Sequence, residues 1–514
     1  MHVLMVAAEN DALPNAKVGG VADVIRDCPR ALSKAGLSVD VVIPDYGFAA
    51  LERVHLGQLS VPFAGQIHHV DAWQLNVADK SVRQIVLSHH YFNQHNGQVY
   101  CNDAPGRPFA TDAIKFALFS AAVCEGLLQG IIPAPDVIHL HDWHSACVAV
   151  LLKFDSRFAH YFNTKLVYTV HNLALQGIRP FKGDDSSLEA WFPSLGYDGQ
   201  VLCDPRYPHC FNPMRSAINL ADKVHLVSPT YANEVLCPSD PMNGFFGGEG
   251  LEQDLQNAQA ANKLVGILNG CEYDSKTSNS APTLASLYQE INTELFKWMA
   301  KTQQVESGFY IAHQRILQFM QHESTGPLIT SVGRLTEQKV LLLHQAYQGV
   351  CVIDELCSQL ASYQGRMIIL GSGDEALEQT FVQAMARNSN LLYLRGYGQK
   401  IGELLYQLGD LFLMPSSFEP CGISQMLAMR EGQPCLVHQV GGLKDTIKHL
   451  ENGFSFSADS LQSQCENLVN CFADTLEVQQ NNLQLWQKIV SNALNSRFTW
   501  HDAAKKYIAD LYQQ

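Results

Sequence analysis

The feature that most restricts this chain is a repeated unit: a short apolar run, then a polar or glycine-bearing loop, then residues with helical apolar spacing. His2 to Ala8 reads as a strand, a loop with Gly19-Gly20 follows, and Val21 to Ala35 has helical spacing ahead of a second strand, Val39 to Ile43. Strand, crossover helix and strand in that order build a parallel sheet. The unit recurs. Val137 to Leu140 runs into His141-Asp142-Trp143, Lys165 to Val170 into His171-Asn172, and Val224 to Val227 into Ser228-Pro229. A second series follows, with Leu328 to Val332 before Gly333-Arg334, Arg366 to Leu370 before Gly371-Ser372-Gly373, and Leu411 to Met414 before Pro415-Ser416. Between the two series, Asp274 to Thr325 is polar, opens on a Ser/Thr/Asn-rich stretch and reads as a linker with helical additions. At 514 residues the chain exceeds what one hydrophobic core organises. Two doubly wound, Rossmann-like α/β domains in series are therefore expected. Ligands of open parallel sheets sit beyond the carboxyl ends of the strands, where every polar motif above falls. The strand ends of both domains are expected to face one central cleft.

Composition narrows the function classes. Hydrophobic residues make up 46% and charged residues 17%, an ordinary globular balance. A net charge of −15 disfavours nucleic acid and anionic membranes as partners, yet leaves room for a small anionic substrate met by a few local Lys and Arg. The 14 cysteines are scattered from Cys28 to Cys471 without a C-x-x-C pair. They read as buried free thiols in a reducing cytoplasm, not as a disulfide framework or zinc site. No stretch is apolar and long enough to span a bilayer. Met1 to Ala8 is short, has no basic residues ahead of it, and reads as a strand, not a signal peptide.

Four motifs carry chemistry. In Lys17-Val18-Gly19-Gly20 the glycines allow close backbone approach and the helix start offers free N–H groups to a phosphate or sugar. Taken on its own, that motif reads better as a plain turn with a surface lysine. His141-Asp142-Trp143-His144 and His171-Asn172 bring His, Asp and Asn to one rim, where they can bind sugar hydroxyls or simply cap strand ends. Alternation along the strand is expected to send its neighbours to opposite faces, so His139, His141 and His144 form no metal triad. In Gly333-Arg334-Leu335-Thr336-Glu337-Gln338-Lys339, Arg334 and Lys339 can converge on one diphosphate if the segment loops before its helix. In Met414 to Gln425, a loop shaped by Pro and Gly sets Glu419 before a helix from Ser424 to Gly432. The N–H groups from Gly422 onward suit an anion, and an anchored carboxylate beside them can stabilise positive charge on a sugar ring.

Read together, these motifs resemble the bacterial glycogen synthase and plant starch synthase family, retaining glucosyltransferases of the GT-B fold. The matching segments include Lys17 to Gly20, Pro135 to Trp143, Thr169 to Ala174, Ala221 to Val224, Val227 to Ala232, Gly266 to Gly270, Arg334 to Lys339, Gly371 to Asp374, Phe418 to Gly422, Gly441 to Thr446 and the tail from Phe498 to Trp500. The resemblance implies that Lys17, with Gly19 and Gly20, contacts the sugar nucleotide. It implies that Asp142 and His171 line the glucose pocket, with His171 near the 6-hydroxyl. Arg334 and Lys339 would hold the diphosphate and Glu419 would sit beside the transferred glucose. Asn269, Gly371, Cys421, Gly422, Ile423, Gly441 and Gly442 fall on the donor side. The implied donor is ADP-glucose and the implied acceptor an α-glucan, either glycogen or a maltooligosaccharide, extended through α-1,4 links without metal or cofactor. The implied domains are 1–262 and 263–495, with 496–514 as a helix that crosses back to the first domain. The chain departs from the family pattern at Val340, where glycine is usual, at Glu272, where aspartate is usual, and at Ser216-Ala217. A transferase of the same fold using UDP-glucose or a small acceptor, and a weakly active glucan-binding protein, are the competing readings. A phosphorylase is disfavoured, since no motif for a pyridoxal-phosphate lysine is evident.

Overall fold

The computed structural model describes residues 1–273, 281–302, 306–322 and 324–513. The Ser/Thr/Asn-rich opening of the linker falls within 274–280 and lies outside them. The chain forms two compact units.

The first unit takes Met1–Ser239, Gly247–Glu272 and Thr499–Gln514. Its sheet has nine strands: β1 (His2–Val6), β2 (Ser38–Pro44), β3 (Arg53–Phe63), β4 (Gln66–Leu75), β5 (Arg83–Ser88), β6 (Val137–His141), β7 (Lys165–Val170), β8 (Lys223–Leu226) and β9 (Leu264–Gly266). They lie in the order β9-β8-β7-β6-β1-β2-β5-β4-β3. The central strands β1, β6 and β7 are buried almost end to end. That is why they read as unbroken apolar runs: a parallel sheet is covered on both faces. β3 and β4 pair antiparallel and alternate in burial. Ala64 and Gly65 join them, both at positive φ (50° and 72°), the backbone a two-residue hairpin needs. Strand order reverses between β1 and β6, so the crevice beyond their carboxyl ends is the position a ligand would take.

The sequence assigned 263–272 to the second domain, but β9 pairs with β8 in register Val224 to Leu264, so this stretch completes the first sheet. Gly270 lies against Trp500, too close for any side chain at 270. Tyr507, Leu511 and Tyr512 are buried in the same core as Val3, Met5 and Val137.

The second unit takes Asp240–Phe246 and Tyr273–Phe498. The six strands of its main sheet are β10 (Leu328–Val332), β11 (Arg366–Gly371), β12 (Leu391–Arg395), β13 (Leu411–Met414), β14 (Cys435–His438) and β15 (Phe454–Phe456). All pair in parallel, in the order β12-β11-β10-β13-β14-β15, and the order reverses between β10 and β13. Much of the expected linker is part of this unit. Thr283 and Ser286 form a capping box that starts the helix Leu284–Lys301. Leu287, Ile291 and Leu295, four residues apart, bury one stripe of it. The helix Ser307–Gln321 adds Phe309, Ile316 and Phe319 to the same core. The polar residues that suggested a linker form the outer faces of these two helices. No helix among the described residues is long and apolar enough to cross a membrane.

Candidate active site

Each unit gathers its chemistry-bearing residues where its strand order reverses. In the first unit, β1 runs on to Glu9, whose side chain is almost fully buried. Its Oε2 accepts from the N–H of Val18 (2.7 Å) and of Gly19 (2.6 Å), and its Oε1 from the Tyr100 hydroxyl (2.6 Å). Those two loop N–H groups, expected from sequence to be free for a phosphate, are satisfied by an internal carboxylate. Gly19 precedes the helix Gly20–Lys34 and fits beside Glu9, with 3.7 Å from a Cβ position to Oε1. Lys17, about one third exposed, donates to Asp23 (2.6 Å) and Asp11 (3.3 Å).

Across the reversal, β6 ends at His141 and the chain turns into the helix Asp142–Phe154. Asp142 takes a left-handed backbone (φ 54°), a conformation Asp tolerates better than most residues. Its Oδ1 accepts from the His171 N–H at 2.7 Å, which joins the ends of β6 and β7. Burial pushes the Asp142 carboxyl up to about 7, against the opposing pull of the His171 and Asn172 N–H groups. His171 is pushed down to about 3, by burial first and then by His225. This rim therefore works through neutral imidazole at physiological pH.

His139 and His141 share one face of β6, contrary to the expectation from sequence, because residues two apart on a strand point the same way. Their rings stack at 4.3 Å. His141 Nδ1 lies 3.0 Å from His171 Nε2. A second chain of contacts has a fixed direction. His225 Nε2 meets the Ile267 carbonyl at 3.1 Å, so that nitrogen carries the proton and Nδ1 accepts. Thr169 Oγ1, 3.0 Å away, donates to Nδ1 and must then accept from His139 Nε2 at 2.6 Å. His139 Nδ1 in turn accepts from the Tyr512 hydroxyl at 2.8 Å. The tail is thus tied to the sheet by hydrogen bonds as well as by packing. Asn269, on the donor side by sequence, lies in the first unit, buried, with the Tyr507 hydroxyl 3.4 Å from its Oδ1.

In the second unit the loops after β10, β11 and β13 are knitted together. Leu335 N donates to Ser372 O (3.0 Å) and Asp374 N to Leu335 O (2.8 Å), while Ser417 N and Phe418 N both donate to Gln338 O (2.9 and 3.2 Å). Glycine is required where these loops touch. A side chain at Gly371 would strike the Gly333 carbonyl, one at Gly441 the Glu419 carbonyl and one at Gly442 the Cys421 carbonyl. Gly442 N also donates to Glu419 O at 3.0 Å. The frame holds Glu419, 6% exposed, with its Oε2 accepting from Lys339 Nζ and, at 3.3 Å, from Ser416 Oγ. Lys339 lies in the short helix Glu337–Val340, whereas Arg334 stands in the loop before it, exposed and without a carboxylate partner among the described residues. Val340 has an ordinary backbone (φ −123°) and packs into the core, so the departure from glycine there costs no strain. Gly422 does need its positive φ (76°), turning the chain from Cys421 to Ile423 ahead of the helix Ser424–Arg430.

The model of the starch synthase catalytic domain matches residues 2–257, and that of glycosyl transferases group 1 matches 326–474. A glycogen synthase of Streptococcus sanguinis is 32% identical over 541 residues, covering 100% of this chain and 99% of the relative. The chain belongs to the glycogen synthase and starch synthase family. It is a glycosyltransferase of that family with the GT-B fold, two α/β units in one chain. A glycogen synthase of Desulfitobacterium hafniense is 30% identical over 531 residues, covering 100% of this chain and 99% of the relative. Among solved structures, the catalytic domain of starch synthase IV from Arabidopsis thaliana, bound to ADP and acarbose, matches with a TM-score of 0.75 at 26% identity, covering 99% of this chain and 98% of that one. Sucrose-phosphate synthase from Thermosynechococcus elongatus, at 16% identity and a TM-score of 0.56, shares the fold.

Sequence reasoning missed Glu9 and Asp11, and gave no separate role to Asp23 or to Ser416, which its motifs contained. Glu9 and Ser416 were within reach of it, since each follows the end of a strand beside an order reversal, the rule that found the other motifs. Asp11 and Asp23 flank Lys17 by six residues on either side and carried no pattern of their own.

Proposed function

We propose that this enzyme transfers glucose from ADP-glucose to the non-reducing end of an α-glucan through an α-1,4 link, with retention of configuration. The observation that carries the reading is the second unit's constellation at the strand-order reversal: Glu419 held by Lys339 and Ser416, and, on the loop that leads to Lys339, an exposed Arg334 with no carboxylate partner among the described residues. A diphosphate leaving group needs cationic neutralisation, which Arg334 supplies as a fork and Lys339 as a point charge. Binding of the diphosphate would draw Lys339 from Glu419 and leave that carboxylate beside the sugar, where it stabilises an oxocarbenium-like transition state. In the first unit, Asp142 and His171 take the sugar hydroxyls, and Lys17 contacts the donor once it leaves Asp11 and Asp23. Cys421, Gly422, Ile423, Gly371, Gly441 and Gly442 shape the donor loops. The glycogen synthase relatives agree with this reading, as does ADP in the Arabidopsis structure. The 14 cysteines, none of them in a disulfide among the described residues and most of them buried, suit the reducing cytoplasm to which we assign the protein.

The test is nucleotide release with glycogen as acceptor and ADP-glucose or UDP-glucose as donor. ADP release coupled to glucan growth is the expected result. Preference for UDP-glucose would overturn the donor assignment, and glucan binding without release of either nucleotide would overturn the enzyme assignment.

A further inference from the structure

The contact between His141 and His171 sets a constraint on where the His171 proton sits. Both imidazoles are buried and neutral, so each carries one ring proton, and only one of the two can occupy the 3.0 Å line between His141 Nδ1 and His171 Nε2. The remaining nitrogen of His141, Nε2, is buried with no hydrogen-bond partner among the described residues. A buried N–H without a partner is the rarer and costlier defect; an unengaged lone pair is tolerated more readily. The His141 proton therefore belongs on Nδ1, where it is used. His171 Nε2 must then accept, and the His171 proton is forced to Nδ1. That nitrogen takes no partner among the described residues and is not among the sealed-off polar atoms.

We propose that His141 is a positioning residue that locks His171 as its Nδ1–H tautomer, so that the rim offers the sugar a hydrogen-bond donor and not a lone pair. The proposal rests on the reading of His171 as a sugar contact. It gives the second histidine of β6 a task the packing does not demand. An apolar side chain would fill the same space beside His139, but it would leave the His171 proton free to choose either nitrogen. It also distinguishes two roles on the rim. Asp142 fixes the backbone of His171 through its N–H, and His141 fixes the polarity of its ring.

The experiment is a long-range proton–nitrogen spectrum of the full chain labelled with 15N-histidine, with His171 assigned from its missing signals in His171→Asn. Wild type should show His171 protonated on Nδ1. His141→Asn, whose side-chain N–H₂ reaches about where Nδ1 stood, should keep that form. His141→Leu should lose it and raise KM for ADP-glucose about fivefold with little change in kcat, as expected for one uniform hydrogen bond. His171 protonated on Nε2 in wild type overturns the proposal, as does an unchanged tautomer in His141→Leu. Should His141→Leu not fold, the wild-type and His141→Asn spectra decide the matter alone. The tautomer is read without turnover. A correct tautomer in a protein that does not use ADP-glucose would sink the functional reading and leave the positioning role intact.

Discussion

The two strand-order reversals of this chain solve different electrostatic problems. At the first, every charge is spoken for: Glu9 by three donors, Lys17 by two aspartates, and the histidines by burial, which keeps them neutral. At the second, a buried carboxylate and a lysine face each other, and the loop leading to that lysine carries an exposed arginine with no carboxylate partner among the described residues. A neutral hydrogen-bonding rim discriminates hydroxyls, whose contacts change little during reaction. A set of cations beside a carboxylate acts on charge that appears only as the bond to diphosphate breaks. On the proposed function, the difference divides rate and recognition between the units, and variants in each should fail in different ways.

The largest effect should come from Glu419→Gln, with kcat lowered about 10²–10³-fold in a single-turnover assay and KM little changed, since the charge it stabilises is a transition-state charge. A loss below tenfold would break the comparison at its strongest point. Arg334→Ala should cost about 2 kcal/mol in kcat/KM, roughly 30-fold, measured with ADP-glucose under saturating glycogen. His171→Asn should cost less, about tenfold and mostly in KM. If His171→Asn instead falls mainly in kcat, the division between the units is wrong.

Asp142 sharpens the contrast through pH. Its carboxyl stays protonated up to about 7 in the folded protein, whereas an unfolded Asp ionises near 4. The folded state holds the extra proton in that window, so this group's stabilising contribution is complete below about pH 4 and is lost as pH rises to about 7. Asp142→Asn removes the dependence. Thermal melts should show the variant gaining on wild type from about pH 4 to 7, with the difference constant above that, and a flat difference throughout would refute the assignment. The smallest effect belongs to Lys17→Met, which should change stability by less than about 1 kcal/mol in denaturant titrations, because partly exposed ion pairs contribute little.

How much of this was legible beforehand follows from periodicity. β7, β10 and β13 were read from sequence to the residue, because buried parallel strands are unbroken apolar runs bounded by polar loops. β3 and β4 were not, since half of each faces solvent and their alternation is broken by Gly57, where the register shifts. The helices 284–301 and 307–321 were hidden by polar outer faces that outweighed a narrow buried stripe. Within the site, the residue types and their loops were visible. Their pairing was not, because Lys339 finds Glu419 80 positions away and Glu9 finds Tyr100 91 positions away. No local pattern records such partners.

The return of the tail to the first sheet bears on how the protein comes into being. Trp500, Tyr507 and Tyr512 belong to the core whose other members include Val3 and Met5. On a ribosome, where domains generally fold in order of emergence, the unit begun first would have to wait with an open flank until the other has been made in full. Its histidine chain would stay unterminated at Tyr512 for the same interval. A nascent chain stalled a few residues short would thus carry a finished second unit and an unsealed first one.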